Sequence, residues 1–574
     1  MGETLRCDVL VLGSGGAGLL AALHAHWADP RLRVVLASKG LVGKSGCTRM
    51  VQGGYNAVLD PADSIEQHLS DTLKGGAFLN DQELAYVMVS RAPEVIRELE
   101  TRVGCFFDRR ADGRIHQKPF AGQSFDRTIH RGDLTGIEIV NRLRDALFAT
   151  PIRVLEETRA LDLVRSCDGG RIAGAVLLDQ KRGQFLRVQA KVIVLATGGG
   201  ARMYRVAAPS LEKTGDGMAI AWRAGATMVD MEMYQFHPTG LLAGDSRMTG
   251  MVLEEGLRGA GGILRNALGE RYMEHYDPVR LERSTRDIVS RSSYLEIRAG
   301  RGTPEGGVLL DVSHLGARFI EDNFPGMLER CLDFGYDLRK GPVEVTPTAH
   351  FHMGGVKIDV ECRCGLPGLL VAGEDAGGAH GANRLGGNGV AESTVFGVIA
   401  GEVAVREAAA VAEWPRLDEA AAAQAEARAL APLGGDGTED PFRLRLGLEE
   451  LMWQHVGLVR DEAGLGAALD EILDLRVRAE RVSVPASRRA NLAWMEALDL
   501  RNLLDVAELT TRGALARRES RGAHFRSDYP EPDDERWLVK VHFCREGGTV
   551  RAWEEPVRFT QMAPPSRQRV AVPA

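Results

Sequence analysis

The stretch that decides the fold is Asp8-Val9-Leu10-Val11-Leu12-Gly13-Ser14-Gly15-Gly16-Ala17-Gly18. Residues 8–12 are an apolar run of strand character, and the six that follow fit G-x-G-x-x-G. A helical pattern continues from Leu19 to His26, and a second strand is read from Arg33 to Ala37. Such a βαβ unit is suited to a pyrophosphate. The first glycine permits the tight turn, the second lets phosphate approach the backbone, the third lets helix and strand pack, and the helix N-terminus faces the anion. The second strand ends in Ala37-Ser38-Lys39, where a nicotinamide site usually carries an acid about 20 residues past the glycines. Ser38 can still bond a ribose hydroxyl, so this departure weakens an NAD reading more than an FAD one.

Further along the chain, a strand at Lys191–Ala196 enters Thr197-Gly198-Gly199-Gly200, and another at Gly368–Ala372 enters Gly373-Glu374-Asp375. Three separated backbone approaches suit an extended dinucleotide crossing a sheet edge. An additional strand is read at Ile172–Leu178. From about Glu402 to about Arg518 the texture is Ala, Glu, Leu and Arg, which predicts a helical bundle. After Glu519 the chain is rich in Arg, Asp, Glu and Pro, with one strand-like piece from Trp537 to Phe543.

Bulk properties narrow the class. At 574 residues several lobes are expected. A net charge of -8 and a pI near 6.0 exclude a nucleic-acid binder, which needs a basic face. The longest apolar stretches, such as Val192–Ala196 and Val395–Ala400, are too short for a transmembrane segment. The first residues run straight into a strand, so a cytoplasmic location is expected. Eight cysteines are scattered without a CxxC pair, and the close pair, Cys362 and Cys364, reads as part of a turn. All are expected to be reduced thiols, with no metal site and no iron–sulfur cluster in this chain.

Beyond the glycine loop, a series of segments carries a more specific signal: Gln52-Gly53-Gly54, Phe120-Ala121-Gly122-Gln123-Ser124, Thr214-Gly215-Asp216-Gly217, Gln235-Phe236-His237-Pro238-Thr239-Gly240, Arg286-Asp287, His350 to Gly355, His380 to Asn388, Glu519 to His524 and Asp528-Tyr529-Pro530. In this order, from about residue 6 to about 540, the chain resembles the flavoprotein subunits of succinate dehydrogenase and fumarate reductase, with L-aspartate oxidase a close relative. The resemblance implies an α/β protein whose Rossmann-type FAD-binding domain (1–232 and 346–405) is interrupted by an α+β capping domain (233–345). A helical domain (406–520) and a C-terminal tail segment (521–574) follow.

By the same resemblance, FAD contacts fall on Gly13, Ser14, Gly15, Gly16, Ala17, Gly18, Ser38, Lys39, Ser45, Gly46, Cys47, Thr48, Gln52, Gly53, Asp216, Glu374, Gly389 and Val390. The last pair opens a helix whose N–H groups suit a reduced, anionic flavin. Moving a hydride at a carbon beside a carboxylate needs cations or strong donors on both carboxylates and one acid or base facing the flavin. The resemblance places His237, His350, Arg384 and Glu254 at the substrate. It assigns proton transfer to Arg286, with Glu255 and Arg258 as relay.

Three departures stand out. Cys47 occupies the position of the histidine that bonds covalently to FAD in respiratory members, so a non-covalent FAD is expected. Glu254 stands where the family has a substrate-binding threonine. A carboxylate there repels a dianion unless it is protonated, turned away or met by a cation, and an amine-bearing substrate would fit it better; Thr249 replaces the missing hydroxyl only if the preceding loop folds differently. Ala260 and Gly389 replace residues usually Glu and Ser. The expected function is hydride transfer between FAD and a small dicarboxylate or amino-dicarboxylate, with electrons exchanged through a separate iron–sulfur subunit that also holds the chain at the inner membrane. An aspartate oxidase-like enzyme using oxygen or fumarate is the alternative, and a catalytically drifted flavin-binding chain the third reading.

Overall fold

The structure, a computed structural model, describes residues 4–565; residues 1–3 and 566–574, at the ends of the expected first and last segments, lie outside the described residues. The opening unit is β1 (Thr4–Leu12), α1 (Gly16–Ala28) and β2 (Val34–Ala37). β1 is central, with β2 and the long strand Gln184–Leu195 both parallel to it. Both its faces are covered, which is why its apolar run is continuous and does not alternate. Asp8, the acid within that run, is paired with Lys191 at 3.1 Å.

The seven-stranded sheet runs Arg153–Leu155, β2, β1, Gln184–Leu195, Ile172–Asp179, Thr158–Arg165, with Leu369–Val371 added parallel to the long strand. Register sets Leu12 opposite both Ala37 and Leu195, and Leu195 opposite Val371. The loops after these four residues therefore leave the sheet at one carboxyl edge, where open α/β sheets bind ligands. α1 lies tightly on the helix Asn388–Ala409: a Cβ on Gly397 would sit 2.6 Å from the Ala17 carbonyl oxygen, and one on Gly401 2.6 Å from that of Ala21.

A second, antiparallel sheet contains Tyr234–Leu241, Val343–His352, Val308–Asp311 and Ile263–Arg265. With the helices Arg286–Glu296 and Pro325–Leu332 it forms a lobe with a separate core that includes Leu253, Leu264, Val289, Leu310, Met327 and Val345. The helices Glu419–Leu430, Pro441–His455, Glu462–Ala479 and Leu492–Ala516 follow. Each starts on a side chain, Asp418, Asp440, Asp461 or Asn491, that accepts a first-turn N–H. These helices share the core of the large sheet.

The C-terminal region departs from its reading. The strand-like piece begins at Val539, not Trp537, and is one arm of a hairpin with Thr549–Pro556. That hairpin extends a sheet through Met228–Val229, so the segment is built into the body. Its outer arm is mostly exposed and lacks an apolar alternation strong enough to read. Arg517, fully buried, ties this region in by pairing with Glu232 at 2.8 Å and Glu519 at 3.0 Å. All eight cysteines are free. Among the described residues, no group of three or more His, Cys, Asp or Glu is placed to hold a metal ion, and no helix is long and apolar enough to cross a membrane.

Candidate active site

A cavity of about 530 Å³ follows the carboxyl edge of the large sheet and continues to the smaller lobe, a size usual for cofactor sites of about 300–1,000 Å³. Along the sheet it is lined by Gly13 to Ala17, Ser38, Lys39, Ser45 to Thr48, Gln52, Gly53, Asp216, Glu374, Gly389 and Val390. At the lobe end it is lined by His237, Glu254, Glu255, Arg286, His350 and Arg384. Gly18 and Arg258 are not on its wall. Gly18 lies beneath the loop, where a Cβ would come 2.1 Å from the Gly13 carbonyl oxygen. Arg258 is buried behind Glu255, 4.0 Å from its carboxylate. Thr249 is also off the wall, donating to the Gly244 carbonyl at 2.7 Å.

The residues present fit an FAD. Gly13 has φ 114° and its Cβ would fall 1.9 Å from the Ala196 carbonyl oxygen, so the protein itself requires glycine there. Gly15 differs: a Cβ would meet nothing closer than Thr48 Oγ1 at 3.4 Å. Room at that point serves something outside the chain. α1 and the helix Asn388–Ala409 both start on a glycine with no acid in the first turn and both open onto the cavity; Thr48 Oγ1 takes the Gly16 N–H at 3.0 Å, and the N–H groups that follow are left for anionic parts of a ligand. Gln52 Oε1, Arg384 Nε and Glu392 Oε2 are buried on this wall without a hydrogen-bond partner among the described residues.

Both acids among the expected cofactor residues have protein partners, and Ser14 and Ser38 bond each other at 2.7 Å. Asp216 meets Lys39 at 3.1 Å, Arg159 at 3.3 Å and Asn502 at 2.7 Å. Burial would push its carboxyl up, but Lys39 and Arg159 outweigh that and hold it ionised. Glu374 pairs with Lys213 at 2.5 Å and accepts the His352 N–H at 2.8 Å. Cys47 faces the cavity as a thiol, since burial raises its pKa more than Lys213 lowers it.

At the lobe end, His237 and His350 come from adjacent antiparallel strands, their rings 5.3 Å apart. The Thr239 backbone N–H donates to His237 Nδ1 at 3.3 Å, so the ring proton sits on Nε2. Burial first, and the nearby guanidiniums next, keep both imidazoles neutral. They are donors without charge. Arg286, the first residue of its helix, donates through Nε to Glu255 at 2.7 Å and through a terminal nitrogen to Gln235 Oε1 at 3.1 Å. Arg384 reaches the same Gln235 oxygen at 3.0 Å and lies over the Phe351 ring. Gln235 is anchored by its own donors on Asn383 and the Arg384 carbonyl, and so spaces the two guanidiniums.

Charge is concentrated here. Burial raises the Glu255 carboxyl, yet Arg286 and Arg258 leave it below its ordinary range. Arg384 has no acid within ion-pair distance among the described residues, and burial and then Arg286 pull it down to about 9. Glu392 is pushed up to about 8 by burial and then by Glu374, so it is protonated near pH 7. Glu374 is neutralised by Lys213. Glu254 is 2% exposed and in direct ion-pair contact with Lys118. Three guanidiniums, of Arg286, Arg258 and Arg384, against the one carboxylate of Glu255 leave two positive charges for a dianion. Sequence reasoning missed Lys118, Lys213, Gln235 and Glu392; only Lys213 and Gln235 carried a signal, by adjoining or opening the segments that mark the family.

Comparison with known proteins yields a family model described as FAD binding domain over residues 8–390 and one described as Fumarate reductase flavoprotein C-term over residues 445–570. The chain is 43% identical to a subunit of the fumarate reductase (CoM/CoB) of Methanothermobacter marburgensis, across 95% of this chain and 98% of that protein. It is 38% identical to the 8-methylmenaquinol:fumarate reductase flavoprotein subunit of Wolinella succinogenes, across 93% and 87%. Among solved structures, an E. coli quinol fumarate reductase variant superposes with a TM-score of 0.93 at 34% identity, covering 98% of each chain.

Proposed function

The chain belongs to the family of succinate dehydrogenase and fumarate reductase flavoprotein subunits and is an FAD-dependent oxidoreductase; on that premise we propose that it reduces a fumarate-like dicarboxylate, with Arg286 as the proton donor. The observation that supports this reading most is the net double positive charge at the lobe end of the cavity, held by buried groups whose desolvation is already met in the folded protein.

In the proposed mechanism Arg384 grips one carboxylate as a planar fork, and the neutral His237 donates from Nε2 to the other. His350 adds a donor beside it. FAD held along the sheet edge would supply the hydride. Arg286 delivers a proton to the adjacent carbon, and Glu255, which contacts both Arg286 and the Ala121 backbone N–H at 3.1 Å, holds its guanidinium in place and relays back to it a proton that enters from solvent by way of Arg258. An arginine acid requires exclusion of water and neighbouring positive charge, which the burial of Arg286 and the guanidiniums of Arg258 and Arg384 provide. Without the flavin-bonding histidine, and with Cys47 as a thiol, the FAD is held non-covalently. The dicarboxylate is oriented between sheet edge and lobe, and electrons come from a partner subunit with redox centres of its own, which also supplies any attachment to a membrane.

The test uses the purified holoprotein: its flavin is reduced anaerobically and mixed with fumarate or oxygen while flavin absorbance is followed, and the oxidised holoprotein is separately mixed with aspartate in air while peroxide is measured. Rapid reoxidation by fumarate is the expected result. Failure of every dicarboxylate to reoxidise the flavin, or peroxide formation driven by aspartate, would overturn the reading.

A further inference from the structure

We propose that Lys118 is a specificity-determining residue for this reaction: by neutralising Glu254 it lets a dicarboxylate bind against a wall that carries an acid. This rests on the dicarboxylate reading above. Lys118 lies in the strand Gln117–Lys118, paired with Thr128–Ile129 beside the large-sheet body. Glu254 caps the short helix Glu255–Gly259 of the smaller lobe, 136 positions away in sequence. The contact thus joins two elements far apart in sequence. Lys118 is off the cavity wall while Glu254 is on it, so the charge of the carboxylate is met from behind the wall.

Among the described residues, Lys118 is the one cation in ion-pair contact with this acid. The Glu254 N–H approaches the Met327 sulfur at 3.4 Å, and Phe324 packs on neighbouring Gly256. The charged or titratable groups around the pair are Asp133 and Glu255, both raising the Glu254 carboxyl, and His130, which lies near enough to Lys118 to feel its charge. Arg330 lines the same cavity. Burial leaves Glu254 above its ordinary range even with Lys118 in place. Take Lys118 away, and Glu254 either binds a proton or stands as a bare charge facing the substrate. The first outcome prevails at low pH, the second as pH rises.

That dependence is the test. Dicarboxylate binding to the oxidised holoprotein is read from perturbation of the flavin spectrum by fumarate, succinate and malonate across a pH series, for wild type, Lys118→Met, Glu254→Gln and the double variant. Like charges about 6 Å apart at an effective dielectric near 20 weaken binding by up to about 100-fold. Lys118→Met is expected to bind nearly as wild type at low pH and to lose affinity toward that limit as pH rises, no faster than about tenfold per pH step. Glu254→Gln should bind well, and the double variant should recover affinity and a flat profile below about 9, where Arg384 stays charged. A merely structural lysine would give a loss independent of pH and not rescued by Glu254→Gln; that result, or affinity of Lys118→Met within twofold throughout, overturns the proposal. A wild type that binds no dicarboxylate overturns instead the functional reading on which it rests.

Discussion

Replacing Arg384 with Met removes the cation that the cavity holds at greatest expense. The side chain is 6% exposed, has no acid within ion-pair distance among the described residues, and is pulled down to about 9 by burial and Arg286. Against an ordinary value above about 12, that drop is about 4–5 kcal/mol of unfavourable free energy in the charged form. A substrate carboxylate gripped by the fork returns much of it, and truncating one partner of a desolvated charge pair costs about 2–5 kcal/mol. Arg384→Met should therefore raise the Kd for a dicarboxylate by about 30-fold to several thousand-fold. Arg384→Lys, which keeps the charge without the fork, should fall between. The assay is titration of the oxidised holoprotein with malonate, followed by the flavin spectrum. The pH profile has a definite sign: the group's pKa is depressed and its charged form binds, so affinity is full below about 9 and is lost as pH rises through that value. Binding by Arg384→Met within threefold of wild type, or affinity unchanged well above pH 9, would refute the assignment.

Three further outcomes are expected. Arg286→Lys keeps the charge but loses the geometry between Glu255 and Gln235; kcat should fall by about 10²–10⁴-fold while malonate affinity stays near wild type, and equal losses in both would argue for a binding role alone. Acid precipitation should leave the yellow colour in the supernatant, because the Cys47 thiol is protonated and a poor nucleophile; colour in the pellet would contradict the non-covalent assignment. Arg517→Met strands the fully buried Glu232, while Glu519 keeps Arg521 at 2.8 Å, and should lower stability in urea unfolding by about 3–5 kcal/mol; an unchanged midpoint would show that another group compensates.

What could be read in the sequence followed local rules. The glycine loop is legible because a tight turn, a phosphate approach and a helix start all act on six consecutive residues. The loops at 197–200 and 373–375 were legible for the same reason, and the strand register explains why they meet. His237, His350, Arg286 and Arg384 were found through the family's segments, since nothing in their own spacing brings four separated positions together. Lys118 was not legible: its partner is 136 positions away, and a lone lysine in a polar stretch has no periodicity to betray it. Glu254 was noticed as an anomaly, and the structure supplies the cation that sequence reasoning could only require. The outer arm of the C-terminal hairpin escaped because an edge strand facing solvent has few apolar positions with which to announce itself.

The contact of α1 with the helix Asn388–Ala409 has a consequence for how such a protein can change over time. One helix starts at the phosphate end of the cavity and the other at the substrate end, and they touch backbone to backbone at Gly397 and Gly401. A joint of that kind works as a fixed gauge, because at Gly397 the nearest atoms across the contact are all backbone, with no side chain there to be lengthened or trimmed. The span offered to the cofactor is then insulated from ordinary drift. Novelty is directed to the other lobe, whose separate core lets it be rebuilt, as at Glu254, while the cofactor's seat keeps its dimensions.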